Sequence, residues 1–397
     1  MALEEALRRC YPVLLIEDDE KREIVERVVR PFVLDPDTVL RVRNTLRSEM
    51  DLGLLPNPER PSSLQMDVAH IPELPDGTET GHALALDLGG TNFRVLHLYL
   101  TPGSPARCRV QHYAVPSDVR KGSGERLFDF LADCLRDFVG ENGLTGTRLP
   151  LGFCFSFPIV HKALDAAVLT EWVVSYDCSG VVGEDVGRML EEAIRRRTNI
   201  DVELVAIVND TTGTLVQGAF MDSDCAIGLI MEWGAFGDNG VLDFAITPLD
   251  RLVDDQSLFP GSFTFEKLLS GEFLGDVVRQ ILIEIARRRA LFGGDETAVQ
   301  KADGTRNLHG RRPVLVSVCL AELLERVDKP TPATIAVDGS LYKYHPTLRG
   351  HMRELVTAMA PGRPFKLMLA ESGSGKGAGL IAAVVERLRS TNRCGNL

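Results

Sequence analysis

Asp87-Leu88-Gly89-Gly90-Thr91-Asn92-Phe93-Arg94 is the stretch on which the fold turns. It lies between two strand-like runs, 83–88 and 93–100, and a third run, 106–115, follows after a Pro- and Gly-containing turn. Three consecutive hairpin-linked strands are the expected result. Paired glycines carry no Cβ, so the backbone N–H groups of Gly89 and Gly90 can turn inward and approach a polyphosphate closely. Asp87, at the end of a buried strand, is placed to hold a hydrated magnesium ion, because Mg²⁺ keeps several waters and takes only one or two carboxylates. The competing interpretation of these eight residues is a plain Gly-Gly hairpin capped by an Asp.

Working outward, Leu127, Phe130, Leu131, Cys134, Leu135 and Phe138 fall on one helical face, and a buried apolar strand over 149–157 comes next. A helix over 183–197 leads into a strand over 202–208. Strands alternating with helices predict an α/β layered domain. The C-terminal third repeats the style, with strands over 334–337 and 365–369 and helices over 313–327, 346–359 and 376–388. Upstream, the first seventy residues look helical, with Asp35-Pro36-Asp37 starting the helix over 38–50, though five prolines mark 54–76 as a connector.

Composition limits the function classes. The 397 residues are 44% hydrophobic and 25% charged, as in an ordinary globular protein large enough for two domains. A net charge of −12 is a poor footing for neutralising phosphates along a nucleic acid, so no nucleic-acid partner is expected. The eight cysteines form no CxxC pair and no zinc-ligand spacing, which predicts reduced thiols and a cytoplasmic setting. The N-terminus lacks an apolar core of signal-peptide length, and no run approaches the roughly 20 apolar residues of a membrane helix, so no transmembrane segment is expected.

With the strand that precedes it, 87–96 resembles the first phosphate loop of the hexokinase family, and the resemblance continues in the family's order along the chain. Leu151–Pro158 looks like the sugar-binding segment, and Val208-Asn209-Asp210-Thr211-Thr212-Gly213-Thr214 looks like the segment with the catalytic Asp. Glu232-Trp233-Gly234-Ala235-Phe236-Gly237-Asp238 and Phe259-Pro260-Gly261 with Glu266 resemble the rest of the sugar side. Val337-Asp338-Gly339-Ser340 and Gly373-Ser374-Gly375-Lys376-Gly377 resemble the nucleotide side.

The resemblance implies an actin-like, ribonuclease-H-like two-domain sugar kinase fold, with ATP and Mg²⁺ as cofactors and a hexose, glucose by family, as substrate. It implies N-terminal helices over 1–74 packing on a large domain, 210–375, a small domain over 75–209, and a C-terminal helix, 376–397, returning to the small domain. Hexose contacts would come from Ser156, Asn209, Asp210, Glu232 and Glu266. Nucleotide contacts would come from Asp87, Leu88, Gly89, Gly90, Thr91, Asn92, Arg94, Gly339, Ser340, Gly373, Ser374 and Gly375, with Asp87 also the metal ligand. Asp210, at a strand end, would accept the proton of the attacking hydroxyl; the alternative for it is a helix N-cap. The Gly373–Gly377 run fails the spacing of a P-loop, since Ala370 stands where its first Gly belongs, and reads instead as a Gly-rich turn before a helix whose N–H groups face the nucleotide. Peripheral mitochondrial association is left open.

The departures from the family pattern are specific. Val173-Val174 stand after Trp172 where the family has Thr-Lys. Only twenty-two positions separate Asp210 from Glu232, enough for a helix to about 221 and one strand, whereas the family also has a second phosphate loop there with a Gly-Thr-Gly pattern and a sugar-binding Asn. A further shortening falls between Phe292 and Arg312. Three functions therefore stay open: an ATP-dependent hexokinase feeding glycolysis, a catalytically impaired sugar-binding or regulatory protein on the same fold, and another actin-fold ATPase, which only the phosphate loop supports.

Overall fold

The structure, a computed structural model, describes residues 2–11, 15–90, 93–173, 175–230, 234–300, 311–329 and 332–391. Its strands are β1 (Gly81–Leu88), β2 (Phe93–Leu100), β3 (Arg107–Tyr113), β4 (Leu149–Phe155), β5 (Ile159–His161), β6 (Ala167–Leu169), β7 (Val202–Val208), β8 (Cys225–Ile230), β9 (Ala333–Asp338) and β10 (Phe365–Leu369). The chain divides into two compact units. One takes 1–66, 231–333 and 339–367; the other takes 67–230, 334–338 and 368–397.

The second unit is built on a five-stranded sheet in the order β3-β2-β1-β4-β7. β1, β2 and β3 form the expected antiparallel meander, and β4 and β7 then add in parallel. Side chains of opposite parity go to opposite faces of a strand. Leu84, Leu86 and Leu88 accordingly enter one core with the Gly124–Glu141 and Val186–Arg195 helices, while Ala83 and Ala85 enter another with the Gly373–Ser390 helix. The result is an α/β/α layering, with the Asp210–Met221 helix on the second face. A sheet in the order β10-β9-β8 is attached, and its β8 and β9 pair in parallel.

The boundary read from the sequence at 209/210 differs from this grouping, since the Asp210–Met221 helix and β8 sit with the five-stranded sheet. The cause is close backbone approach: a Cβ on Gly377 would lie 1.9 Å from the Gly213 carbonyl oxygen, so only glycine lets the last helix press onto the 210–221 helix.

The same pressure changes the start of that last helix. The sequence predicts a Gly-rich turn and a helix from 376, but the helix runs Gly373–Ser390, with its glycines as the first turn. Tertiary contact overrides the poor intrinsic helix propensity of glycine. The β5–β6 hairpin was not legible in advance, because three-residue strands carry no readable period.

The first unit is mainly helical. The Pro36–Gly53 helix begins where expected, with the Asp35 carboxylate accepting from the Thr38 N–H at 2.7 Å. It is fastened to the Arg311–Arg326 helix through Glu322, 1% exposed, whose carboxylate accepts from Arg43 at 3.1 Å and from Arg47 at 2.8 and 2.7 Å. Arg311 and Asp250 form a second buried pair at 2.8 and 2.7 Å. No helix among the described residues is long and apolar enough to cross a membrane, and Cys10, Cys108, Cys134, Cys154, Cys178, Cys225 and Cys319 are free thiols.

Candidate functional site

The register of the five-stranded sheet gathers most of the candidates in the second unit. Asp87 pairs with Cys154 across β1 and β4, and Cys154 with Val208 across β4 and β7. Three parallel strands thus end level, and the residues just beyond them, Gly89-Gly90, Ser156 and Asn209-Asp210, emerge from one sheet edge. In parallel α/β sheets the carboxyl ends of the strands are where ligands bind. Strands are spaced by about 4.8 Å, which puts the ends of β1 and β7 about 10 Å apart.

Asp87 is 3% exposed and does not stand alone. It lies opposite Arg94 in the β1–β2 hairpin and takes a hydrogen bond from the Arg94 guanidinium on Oδ2. The Ser374 hydroxyl donates to the same oxygen at 3.0 Å, and Arg94 also reaches Ser374 at 3.2 Å and Ser372 at 3.4 Å. Gly375 is fixed by this cluster, since a Cβ there would come within 2.8 Å of Asp87 Oδ2. Candidates separated by some 280 positions are therefore in direct contact.

The Gly373 N–H, offered to the nucleotide by the sequence, donates to Asp338 Oδ2 at 2.7 Å. Asp338 was missing from the sequence-derived set; its place at the end of β9, just before Gly339, was the available signal. Leu88 contributes only backbone: its side chain is fully buried and its carbonyl accepts from the Ser156 N–H at 3.1 Å. Gly90 accepts from the Ser175 hydroxyl at 3.3 Å.

At the β7 end the cap and the candidate base are separate residues. Asn209 caps the Asp210–Met221 helix, its Oδ1 accepting from the Thr212 N–H at 2.8 Å and the Thr211 hydroxyl at 3.0 Å. Asp210 is the first helical residue, with Oδ1 taking the Thr211 N–H at 2.7 Å. The N-cap role considered for Asp210 thus belongs to its neighbour. Between the two carboxylate positions, Cys154 is wholly buried, as its apolar surroundings in the sequence suggested. Burial pushes its thiol well above the ordinary range, and the charges of Asp87 and then Asp210 push it further, so it is an inert filler.

Beyond β4, Phe157 packs edge-to-face on Trp172 and Tyr176, with ring centroids 4.9 and 5.0 Å apart, and Trp172 and Tyr176 stack on each other. Val173 packs on the adjoining core. Thr91, Asn92, Val174 and Glu232 lie outside the described residues.

Glu266, Gly339 and Ser340 belong to the first unit. Glu266 is in the short Thr264–Leu269 helix, its N–H donating to the Gly234 carbonyl at 3.4 Å. Asp238 holds the start of that helix, accepting from the Phe263 and Thr264 N–H groups at 3.0 and 2.7 Å. Gly339, at φ 130°, precedes the Ser340–Tyr344 helix.

The donor set fits magnesium carried on a nucleotide better than a resident ion. Among the described residues no cluster of three or more His, Cys, Asp or Glu side chains could cage a metal. One buried carboxylate already shared with a guanidinium and a hydroxyl suits a largely hydrated Mg²⁺ whose other ligands are phosphates. Asp87→Asn is therefore expected to cut the magnesium enhancement of ATP binding by roughly an order of magnitude, the worth of one charge-assisted contact. Titrations with ATP in magnesium and in EDTA measure it, and an undiminished ratio would remove Asp87 from the metal's environment.

Comparison with known proteins meets this geometry from outside. Two family models described as Hexokinase match the chain, one over 24–220 and the other in two segments, 206–310 and 305–384. Human Hexokinase-1 is 35% identical over 449 residues, covering 94% of this chain and 49% of the relative; horse Hexokinase-2 is 35% identical over 445, covering 92% and 48%. The chain spans about half the length of these curated relatives. An alignment of 449 residues exceeds the 397 of this chain, so the human protein carries residues with no counterpart here.

Among solved structures, the hexokinase from Schistosoma mansoni complexed with glucose superposes with a TM-score of 0.80 at 33% identity, covering 92% of this chain and 99% of that one. A second crystal structure of a hexokinase gives 0.77 at 26% identity. The shared fold is the actin-like α/β sugar kinase fold. With Hexokinase family models matching 24–220 and 206–384 and relatives at this identity along nearly the whole chain, the chain belongs to the hexokinase family.

Proposed function

We propose that this chain binds glucose or a related hexose together with ATP and magnesium, at a site arranged to pass the γ-phosphoryl group to the sugar's 6-hydroxyl, the opening reaction of glycolysis, and that its turnover is low. One observation carries this reading. Asp87, Cys154 and Val208 are level across three parallel strands, so Asp87 and the end of β7, two residues before Asp210, lie at the same end of the sheet about two strand spacings apart. That span separates a phosphate-side acid from a hydroxyl-side acid.

In this reading Ser156, Asn209, Glu232 and Glu266 orient the sugar, carboxylates being good acceptors for its hydroxyl donors. Asp210 takes the 6-hydroxyl proton as that oxygen attacks the γ-phosphorus and the bond to the β–γ bridging oxygen breaks, a role worth about 10²–10⁴ in rate. Asn209, not Asp210, is the cap of the helix that Asp210 begins. Gly89 and Gly90 take the phosphates, with Thr91, Asn92, Gly339, Ser340, Gly373 and Ser374 completing the nucleotide side and Arg94 and Gly375 holding Asp87 in place. Bound Mg²⁺ neutralises charge on the phosphates.

A second reading, sugar binding without turnover, draws on the described sheet, in which β8 lies at the edge of β10-β9-β8 and runs within four residues into Gly234. Only three residues of sequence separate the end of β8 from Gly234, too few for the family's second phosphate loop. Calorimetric titration with glucose and with ATP·Mg²⁺ separately distinguishes the readings. Binding of both is expected; glucose binding without nucleotide binding would select the second reading, and nucleotide without glucose would defeat both.

A further inference from the structure

The connector after the Pro36–Gly53 helix is Pro-rich in sequence and looks like a passive link, but its 60–63 portion is tied into the first unit by one buried acid. Glu49 is wholly inaccessible. Its Oε1 pairs with Arg60. Its Oε2 accepts from the Ser63 N–H at 2.8 Å, the Ser63 hydroxyl at 3.0 Å, the Ser62 hydroxyl at 3.3 Å and the Asn239 amide at 2.8 Å. Burial alone would push this carboxyl up, but Arg60, Ser63 and Asn239 outweigh it and hold it at about 2.

Ser63 is the turning point of this network. While its hydroxyl donates to Glu49, its oxygen accepts from the Gly237 N–H at 3.2 Å. Gly237 and Asn239 flank Asp238, whose carboxylate holds the Phe263 and Thr264 N–H groups and so begins the helix carrying Glu266. A continuous set of hydrogen bonds therefore joins Glu49, through Ser63 and Asn239, to the segment 234–239 and on to Glu266. Its base is rigid, because the helix bearing Glu49 is clamped to the Arg311–Arg326 helix by Arg43 and Arg47 on Glu322.

We infer that Glu49 and Ser63 are positioning residues for hexose recognition: they hold the 234–239 segment so that Glu266 meets the sugar already in place. The inference rests on the sugar-binding reading of Glu266. Neither Glu49 nor Ser63 touches the substrate; each acts by preorganising the groups that do, which lowers the ordering cost of binding.

Ser63→Ala removes the hydroxyl from both Glu49 and Gly237 while changing little volume, and Ser63→Thr restores a hydroxyl. In the full chain, Ser63→Ala is expected to weaken glucose binding roughly 2- to 10-fold, the range one net hydrogen bond commands. ATP·Mg²⁺ affinity should not change, and Ser63→Thr should recover most of the loss. Amide hydrogen exchange supplies an arm independent of sugar: in Ser63→Ala the amides of 237, 263 and 264 should exchange faster than in the parent, with β1 and β4 unaffected. Equal loss of glucose and nucleotide affinity, accompanied by faster exchange everywhere, would show a merely structural role and overturn the inference, as would unchanged glucose affinity with unchanged exchange. Should the parent chain bind no glucose, the sugar reading fails by itself; faster exchange confined to 237, 263 and 264 would still support the coupling, and its absence would refute it.

Discussion

Purified as it stands, the chain is expected to phosphorylate glucose at least about 10²–10³-fold below the roughly 1–100 s⁻¹ usual for kinases. Three losses fall on one chemical step. Val174 occupies the place of an ammonium that would offset developing charge, the loop that would hold the β- and γ-phosphates in line has no counterpart between β8 and Gly234, and the Asn that would orient the sugar went with it. Preorganised groups acting together are strongly non-additive, since each is useful only when the others have set the geometry. Val174→Lys alone should therefore leave activity near background. Val174→Lys with a Gly-Thr-Gly-containing hairpin inserted after Ile230 should raise it by orders of magnitude, and β8, already paired with β9 on one side, offers an edge on which such a hairpin can build. A coupled assay with glucose, ATP and magnesium decides it. Turnover of the unmodified chain within the ordinary range would show that the missing parts are dispensable.

The second large effect belongs to Asp210. Replacing it by Ala, in the parent and in the hairpin-restored chain, should lower turnover by about 10²–10⁴ while glucose affinity stays within about tenfold, because a base is needed in the transition state far more than in the ground state. Asn209 holds the helix cap, so Asp210→Ala keeps the Thr212 contact; it removes the bond from the Thr211 N–H and the charge of an acid in a first helical turn, together worth roughly 1–3 kcal/mol of stability. Urea unfolding alongside the kinetics separates the two effects. Unchanged turnover in the restored chain would remove Asp210 as the base; a large fall in stability would make it a structural residue.

The sequence by itself determined much of the layered architecture. Leu84, Leu86 and Leu88 alternate with Ala83 and Ala85, and this period of two fixes which residues face which core wherever the chain folds. β7 and β10 fall at their expected bounds for the same local reason, and Asp35 caps its helix because an Asp before Pro in an extended conformation can do little else there. Side-chain chemistry brought Asp87 forward, an acid at the end of an apolar run, whereas Asp210 was singled out as a base through the family resemblance.

Only the tertiary structure decided what these acids touch. That Asp87 shares its oxygen with Arg94 and Ser374, that Asp338 takes the Gly373 N–H, and that the glycines at 373–377 are helix rather than turn all depend on residues far apart in the chain meeting at close range. Local propensity reads Gly373–Gly377 as a break; contact with Gly213 and Asp87 makes the absence of side chains the reason a helix fits. The cap and base roles at 209 and 210 were ambiguous for a similar reason, as both residue types cap well and only the backbone position of the first turn chooses between them. Glu49 was invisible in sequence: one more acid on a charged helix, it becomes a hub because folding buries it, and a buried carboxylate must collect donors from wherever the chain brings them.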